Sequence, residues 1–166
     1  MPRVILVMGS ASDLPTLKGF IKVMRDFGID FKAQVLSAHR TPHAAAQLAS
    51  SAEESGVQVI CAAAGKAAHL AGVMAAHTIR PVIGIPIKSS TLDGLDALLS
   101  IVQMPAGVPV ATVAIDGAQN AALLAIQMLA LGDEDLARKL HDYKKTMNEA
   151  ILAADAKLQE EINDYV

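Results

Sequence analysis

Three short stretches of this 166-residue chain gather polar, titratable and glycine residues in an otherwise apolar sequence. They are Gly9-Ser10-Ala11-Ser12-Asp13, Ser37-Ala38-His39-Arg40-Thr41-Pro42 and Gly65-Lys66-Ala67-Ala68-His69-Leu70. In the second, His39 is the best-placed proton carrier, because imidazole exchanges protons near neutral pH. Arg40 beside it can clamp a phosphate through two parallel N–H donors. In the first, Gly9 permits a tight turn, Ser10 and Ser12 offer hydroxyls, and Asp13 can accept bonds from ribose hydroxyls. A helix opening just after that stretch presents unpaired N–H groups and the positive end of its dipole to an anion such as phosphate. Ser12 or Asp13 serves equally well as the N-cap of that helix. In the third, Gly65 lets backbone N–H groups approach a ligand, Lys66 adds a positive charge, and His69 can hold a carboxylate or donate a hydrogen bond. The plainer alternative puts His69 inside a helix, facing solvent.

Several other chemistries lack their residues. There is no Walker loop or G-x-G-x-x-G fingerprint for a triphosphate or dinucleotide, and no G-x-S-x-G elbow for a serine hydrolase. His, Cys and carboxylates do not cluster at ligand spacing, so no metal is expected. His43, His77 and His141 fall on helical patterns. Cys61, the single cysteine, sits in an apolar run and reads as a buried strand residue, without the basic surroundings a thiolate needs. The net charge is −3, aromatics are 3% and Trp is absent. With no basic run beyond Lys144-Lys145, nucleic acid is not an expected partner. The N-terminal apolar run, 4–8, is too short for a leader core or a membrane span. No membrane association is expected, and the cytoplasm is the expected location.

The elements that must position the three stretches follow from alternation. Segments 4–8, 31–36, 57–64, 81–85 and 108–115 read as strands, the continuous apolar run at 4–8 as one buried on both faces. Helical periodicity fills the intervals: from about 14 to a stop at Gly28, 42–55 with Pro42 in the first turn, 65–78, 92–102 and 118–131. A last helix with a charged face covers 133–163. Strand–helix alternation repeated five times implies a parallel sheet with helices on both faces. Five strands favour the flavodoxin-like order 2-1-3-4-5. In that order the first three strands are neighbours, and the three polar stretches converge at their carboxyl ends, where open parallel sheets bind ligands. The expected architecture is one α/β domain spanning 1–166. The apolar fraction of 52% against 19% charged is high for so short a chain, which points to burial between subunits. The 133–163 helix is expected to reach a neighbouring subunit. The turn-rich segment 100–109 is expected to shape a further wall of the site, from this chain or a neighbour.

Taken together, five motifs resemble the class I N5-carboxyaminoimidazole ribonucleotide mutase family: Met-Gly-Ser-x-Ser-Asp at 8–13, Ser-Ala-His-Arg-Thr-Pro at 37–42, Ala-Ala-His-Leu at 67–70, Ser-Ile-Val-Gln-Met-Pro at 100–105 and Asn-Ala-Ala-Leu-Leu-Ala at 120–125. The resemblance covers nearly the whole chain. It implies a flavodoxin-like three-layer fold, a homo-octamer, and no metal or organic cofactor. The implied reaction moves a carboxylate from N5 to C4 of an aminoimidazole ribonucleotide in purine biosynthesis. The resemblance assigns phosphate and ribose contacts to Ser10, Asp13 and Arg40, with Ser12 and Ser37 assisting. It makes His39 the general acid/base, with His69 orienting the transferred group and Gly65, Lys66 and Leu70 beside it. The chain departs from the family pattern at Lys66, where glycine is usual, and at Ala71, where proline is usual. Two other readings remain: a class II carboxylase that adds CO2 directly to aminoimidazole ribonucleotide, and a non-catalytic nucleotide-binding module. Arg40 and His69 both favour the mutase.

Overall fold

The computed structural model describes residues 1–163 and Tyr165, in two compact units, 1–128 and 129–166. The first holds five parallel strands in the order β2-β1-β3-β4-β5, as alternation in the sequence predicts. These are β1 (Val4–Met8), β2 (Phe31–Val35), β3 (Val59–Gly65), β4 (Val82–Ile87) and β5 (Ala111–Thr112). The helices between them are α1 (Leu14–Asp26), α2 (Pro42–Ser50), α3 (Leu70–Ala76), α4 (Leu95–Val102) and α5 (Ala118–Ala130).

Apolar runs with no polar face make β1, β3 and β4 buried along almost their entire length. One side of the sheet packs Ile5, Val7, Ile60, Ala62 and Ala64 against Ala45 and Ala49 of α2, Leu70 and Met74 of α3, and Ala97 and Ile101 of α4. Side chains alternate along a strand, so Val4, Leu6 and Met8 face the other side. The buried Leu17, Phe20 and Met24 of α1 belong there. Where α4 crosses β4 the helix needs a glycine beneath it: a Cβ on Gly84 would run into Ile101 Cγ2.

Three sequence expectations differ from the structure, each for a local reason. The third helix does not open at Gly65. Residues 65–69 form a loop and α3 begins at Leu70, because Lys66 is left-handed, with φ 57°, and breaks any helical start. The second helix ends at Ser50 rather than 55, and turns lead to Gly56 at φ 73°. The fifth strand shrinks from 108–115 to Ala111–Thr112. Pro105 and Pro109 lack donors, and Asp116 at φ 57° turns the chain away. β2 lies at the sheet edge, as that order requires, and is partly exposed.

The second unit is dominated by α6 (Glu134–Asn163), 30 residues long and so about 45 Å from end to end. Asp133 Oδ1 accepts the Leu136 N–H at 3.2 Å and caps it. Lys145 pairs with Glu149 one turn on, at 3.9 Å. Met147, Ile151, Leu158 and Ile162 form an exposed apolar series along it. No helix among the described residues is long and apolar enough to cross a membrane.

Candidate active site

Strand register brings the three polar stretches together. Met8 pairs with Val35 of β2 and with Ala63 of β3, so β1 and β2 end at one level and β3 runs only two residues further, to Gly65. The loops that follow line a cleft of about 600 Å³. Ser10, Ser12, Asp13, Ser37, His39, Arg40, Gly65, Lys66, His69 and Leu70, every site residue expected from sequence, border it.

The first loop is built by Ser10. Its Oγ accepts bonds from the Ser12 hydroxyl at 2.8 Å and the Ser12 N–H at 3.3 Å. Ser10 therefore caps the 3-10 turn at 11–13, and Asp13 makes no side-chain cap on α1. The Asp13 carboxylate is left for a ligand. Burial pushes its carboxyl up from 3.8, against the opposing pull of the Ser10 and Ser12 hydrogen bonds.

The second loop is closed by Ser37 and Thr41. The Ser37 N–H donates to Thr41 Oγ1 at 2.9 Å, and Thr41 Oγ1 donates to the Ser37 carbonyl at 3.1 Å. Ser37 Oγ accepts the Arg40 backbone N–H at 3.1 Å. Arg40 Nη2 reaches back to donate to the Gly9 carbonyl at 3.0 Å. The guanidinium is thus fixed beside the first loop, where Ser10, Ser12 and the start of α1 also lie.

The third loop delivers His69. The Ala68 N–H donates to the Lys66 carbonyl at 2.8 Å, and the His69 N–H to the Ala67 carbonyl at 2.9 Å. These tight turns follow Gly65, where a Cβ would come within 3.2 Å of the Ile87 carbonyl oxygen. His69 therefore stands just ahead of α3 rather than inside it. Its Nδ1 lies 2.8 Å from His39 Nε2, the two rings crossing edge to face at 80°. One of these two nitrogens donates to the other, according to tautomer, and His39 Nδ1 and His69 Nε2 lie outside the contact. Two hydrogen-bonded imidazoles beside an arginine and a partly buried carboxyl can take up and return one proton next to a bound anion.

The cleft also has a wall that sequence reasoning missed: Ile87, Lys88, Ser89 and Ser90, at the end of β4. The polar run Lys-Ser-Ser directly after the apolar 81–87 segment is the signal that marks it. Lys88 is tied down, its N–H to Asp116 Oδ1 at 2.9 Å and its Nζ to Asp93 at 3.2 Å. Residues 100–109 do not border the cleft within this chain; Met104 lies instead over Gly72 of α3. Cys61 is fully buried in β3, and burial pushes its thiol far up, so it takes no part. Among the described residues no three His, Cys, Asp or Glu side chains gather as a metal site.

The family described as AIR carboxylase matches residues 3–150. The N5-carboxyaminoimidazole ribonucleotide mutase of Pyrococcus abyssi is 56% identical over 147 residues, 89% of this chain and 84% of that protein. The mutase of the same name from Thermotoga maritima is 51% identical over 160 residues, 96% of this chain and 94% of that one. Among solved structures, Treponema denticola PurE matches with a TM-score of 0.84 at 28% identity, covering 95% of this chain and 99% of the other.

Proposed function

Because the chain belongs to the AIR carboxylase family, we propose that it is an isomerase converting N5-carboxyaminoimidazole ribonucleotide to 4-carboxy-5-aminoimidazole ribonucleotide in purine biosynthesis. The observation that carries this reading is the His39–His69 contact of 2.8 Å, in the cleft that also holds Arg40 and Asp13. The reaction needs one proton delivered to N5 and one removed from C4, and a pair of imidazoles supplies that exchange.

Arg40, Ser10 and Ser12 hold the phosphate, assisted by Ser37, and Asp13 accepts the ribose hydroxyls. His39 first acts as an acid. The bond from N5 to the carboxyl carbon breaks, CO2 departs, and N5 takes the proton. The aminoimidazole ring is an enamine, and its C4 attacks the retained CO2 to form the new carbon–carbon bond. His39 then removes the C4 proton and the ring regains aromaticity. Atoms and charge balance without an oxidant, a reductant or a cofactor. His69 positions the transferred group and shares the proton with His39, and Gly65, Lys66 and Leu70 complete its surroundings. Buried Ala62, Ala63, Ala64 and Ala68 beside the third loop favour a dry pocket that retains CO2.

The protein is further proposed to act in the cytoplasm as a homo-octamer, the 133–163 helix packing on a neighbouring subunit. Exposed apolar series on α4 and α6 support an assembly. A neighbour's 100–109 segment then completes the cleft wall.

His39→Asn tests the proton transfer. Turnover is expected to fall by about a hundred- to ten-thousandfold, while binding of 4-carboxy-5-aminoimidazole ribonucleotide is kept within a few-fold. A variant that turns over within tenfold of the wild type removes His39 from the chemistry.

A further inference from the structure

Lys66 is held in a backbone conformation that lysine rarely adopts. Its φ is 57°, a left-handed value that strains a side-chain-bearing residue. Glycine would adopt it freely. The neighbouring Gly65 does not supply that freedom; it is needed for space, because its missing Cβ would press on the Ile87 carbonyl. The strained position thus carries a long cationic side chain on the rim of the cleft, three residues before His69.

Charge in the cleft singles out the same residue. The charged lining residues other than the two histidines are Asp13, Arg40, Lys66 and Lys88. Arg40 is bonded to the Gly9 carbonyl, and Lys88 is paired with Asp93. The Lys66 ammonium makes no ion pair among the described residues, and solvent reaches the residue. The Arg40 guanidinium is anchored on the Gly9 carbonyl after β1, whereas Lys66 stands on the separate loop after β3. Two cations on separate loops of one cleft suit a ligand carrying two anionic groups.

We propose that Lys66 is a specificity-determining residue that recognises the carboxylate of the carboxylated aminoimidazole, opposite the phosphate held by Arg40. It contributes by charge. A neutral ligand of the same shape gains nothing from it, and the uncarboxylated ribonucleotide is bound without it. This inference rests on the proposed mutase reading and adds to it a discrimination made by a side chain.

The test compares two ligands of nearly identical shape, 4-carboxy-5-aminoimidazole ribonucleotide and its 4-carboxamide, by calorimetric titration. Wild-type protein is expected to prefer the carboxylate, with the preference shrinking as salt is raised. In Lys66→Met and Lys66→Gly the preference is expected to fall by about tenfold through weaker carboxylate binding alone, and Lys66→Arg is expected to keep it. The glycine variant relieves the backbone strain, so it remains informative if the methionine variant folds poorly. An unchanged preference in the glycine and methionine variants overturns the proposal. Equal loss of both ligands also overturns it, because that marks a structural role. Failure of the wild type to convert N5-carboxyaminoimidazole ribonucleotide instead overturns the mutase reading, whatever Lys66 does.

Discussion

Asp13 carries a charge that its surroundings disfavour. Burial holds its folded-state carboxyl above 3.8, so the folded protein binds this proton more tightly than the unfolded chain. Stability linked to Asp13 is then fully present below 3.8 and is lost as pH rises through the elevated value. Asp13→Asn removes that dependence. Thermal melts across pH should show the variant more stable than wild type at neutral pH, with a shallower decline through the acidic range, and with weakened ribonucleotide binding. A variant less stable at neutral pH contradicts the account. A partly buried acid kept at such a cost fits the role proposed for it, accepting ribose hydroxyls. At this scale the sequence was highly legible, since residue type and adjacency marked His39, Arg40 and Asp13. The His39–His69 contact was not legible, because the two lie 30 positions apart and meet only through strand register. Nor was the conformation of Lys66, since a lysine in the left-handed region leaves no trace in periodicity.

Parallel strands with unbroken apolar faces dictated most of the elements, and the strand order followed from their number and alternation. Boundaries failed where backbone conformation overrode pattern: at Lys66, where α3 is delayed to Leu70, and at Asp116, beyond the shortened β5. An element also shows where it expects company. On α4, Leu95, Leu99 and Val102 recur at helical spacing and are each about half exposed. On α6, Met147, Ile151, Leu158 and Ile162 do the same, at intervals of four and seven. Such exposed apolar series mark protein contacts. Replacing Ile151 and Leu158 with Glu should leave the fold intact, as circular dichroism can verify, and should reduce the sedimenting mass below that of the wild type. An unaltered mass in the variant, or a wild type that sediments as a single chain, contradicts an assembly through α6.

At the scale of the whole molecule, most of the chain serves to hold three loops at the carboxyl ends of neighbouring strands. The interior is built from small and aliphatic side chains, with no buried charged residue among those described, so the chemistry is confined to the cleft. The cleft's cations suit a ligand with a phosphate and a carboxylate, and its paired imidazoles suit a proton that leaves and returns. The central claim is that this protein moves a carboxyl group already attached to its substrate instead of capturing CO2 from solution. It is tested most directly by supplying the wild-type protein with N5-carboxyaminoimidazole ribonucleotide in one assay and 5-aminoimidazole ribonucleotide plus bicarbonate in another, and following formation of the 4-carboxylate. The account predicts efficient turnover of the first and little of the second at ordinary bicarbonate concentrations. Efficient turnover only with the second contradicts it and makes the protein a direct carboxylase.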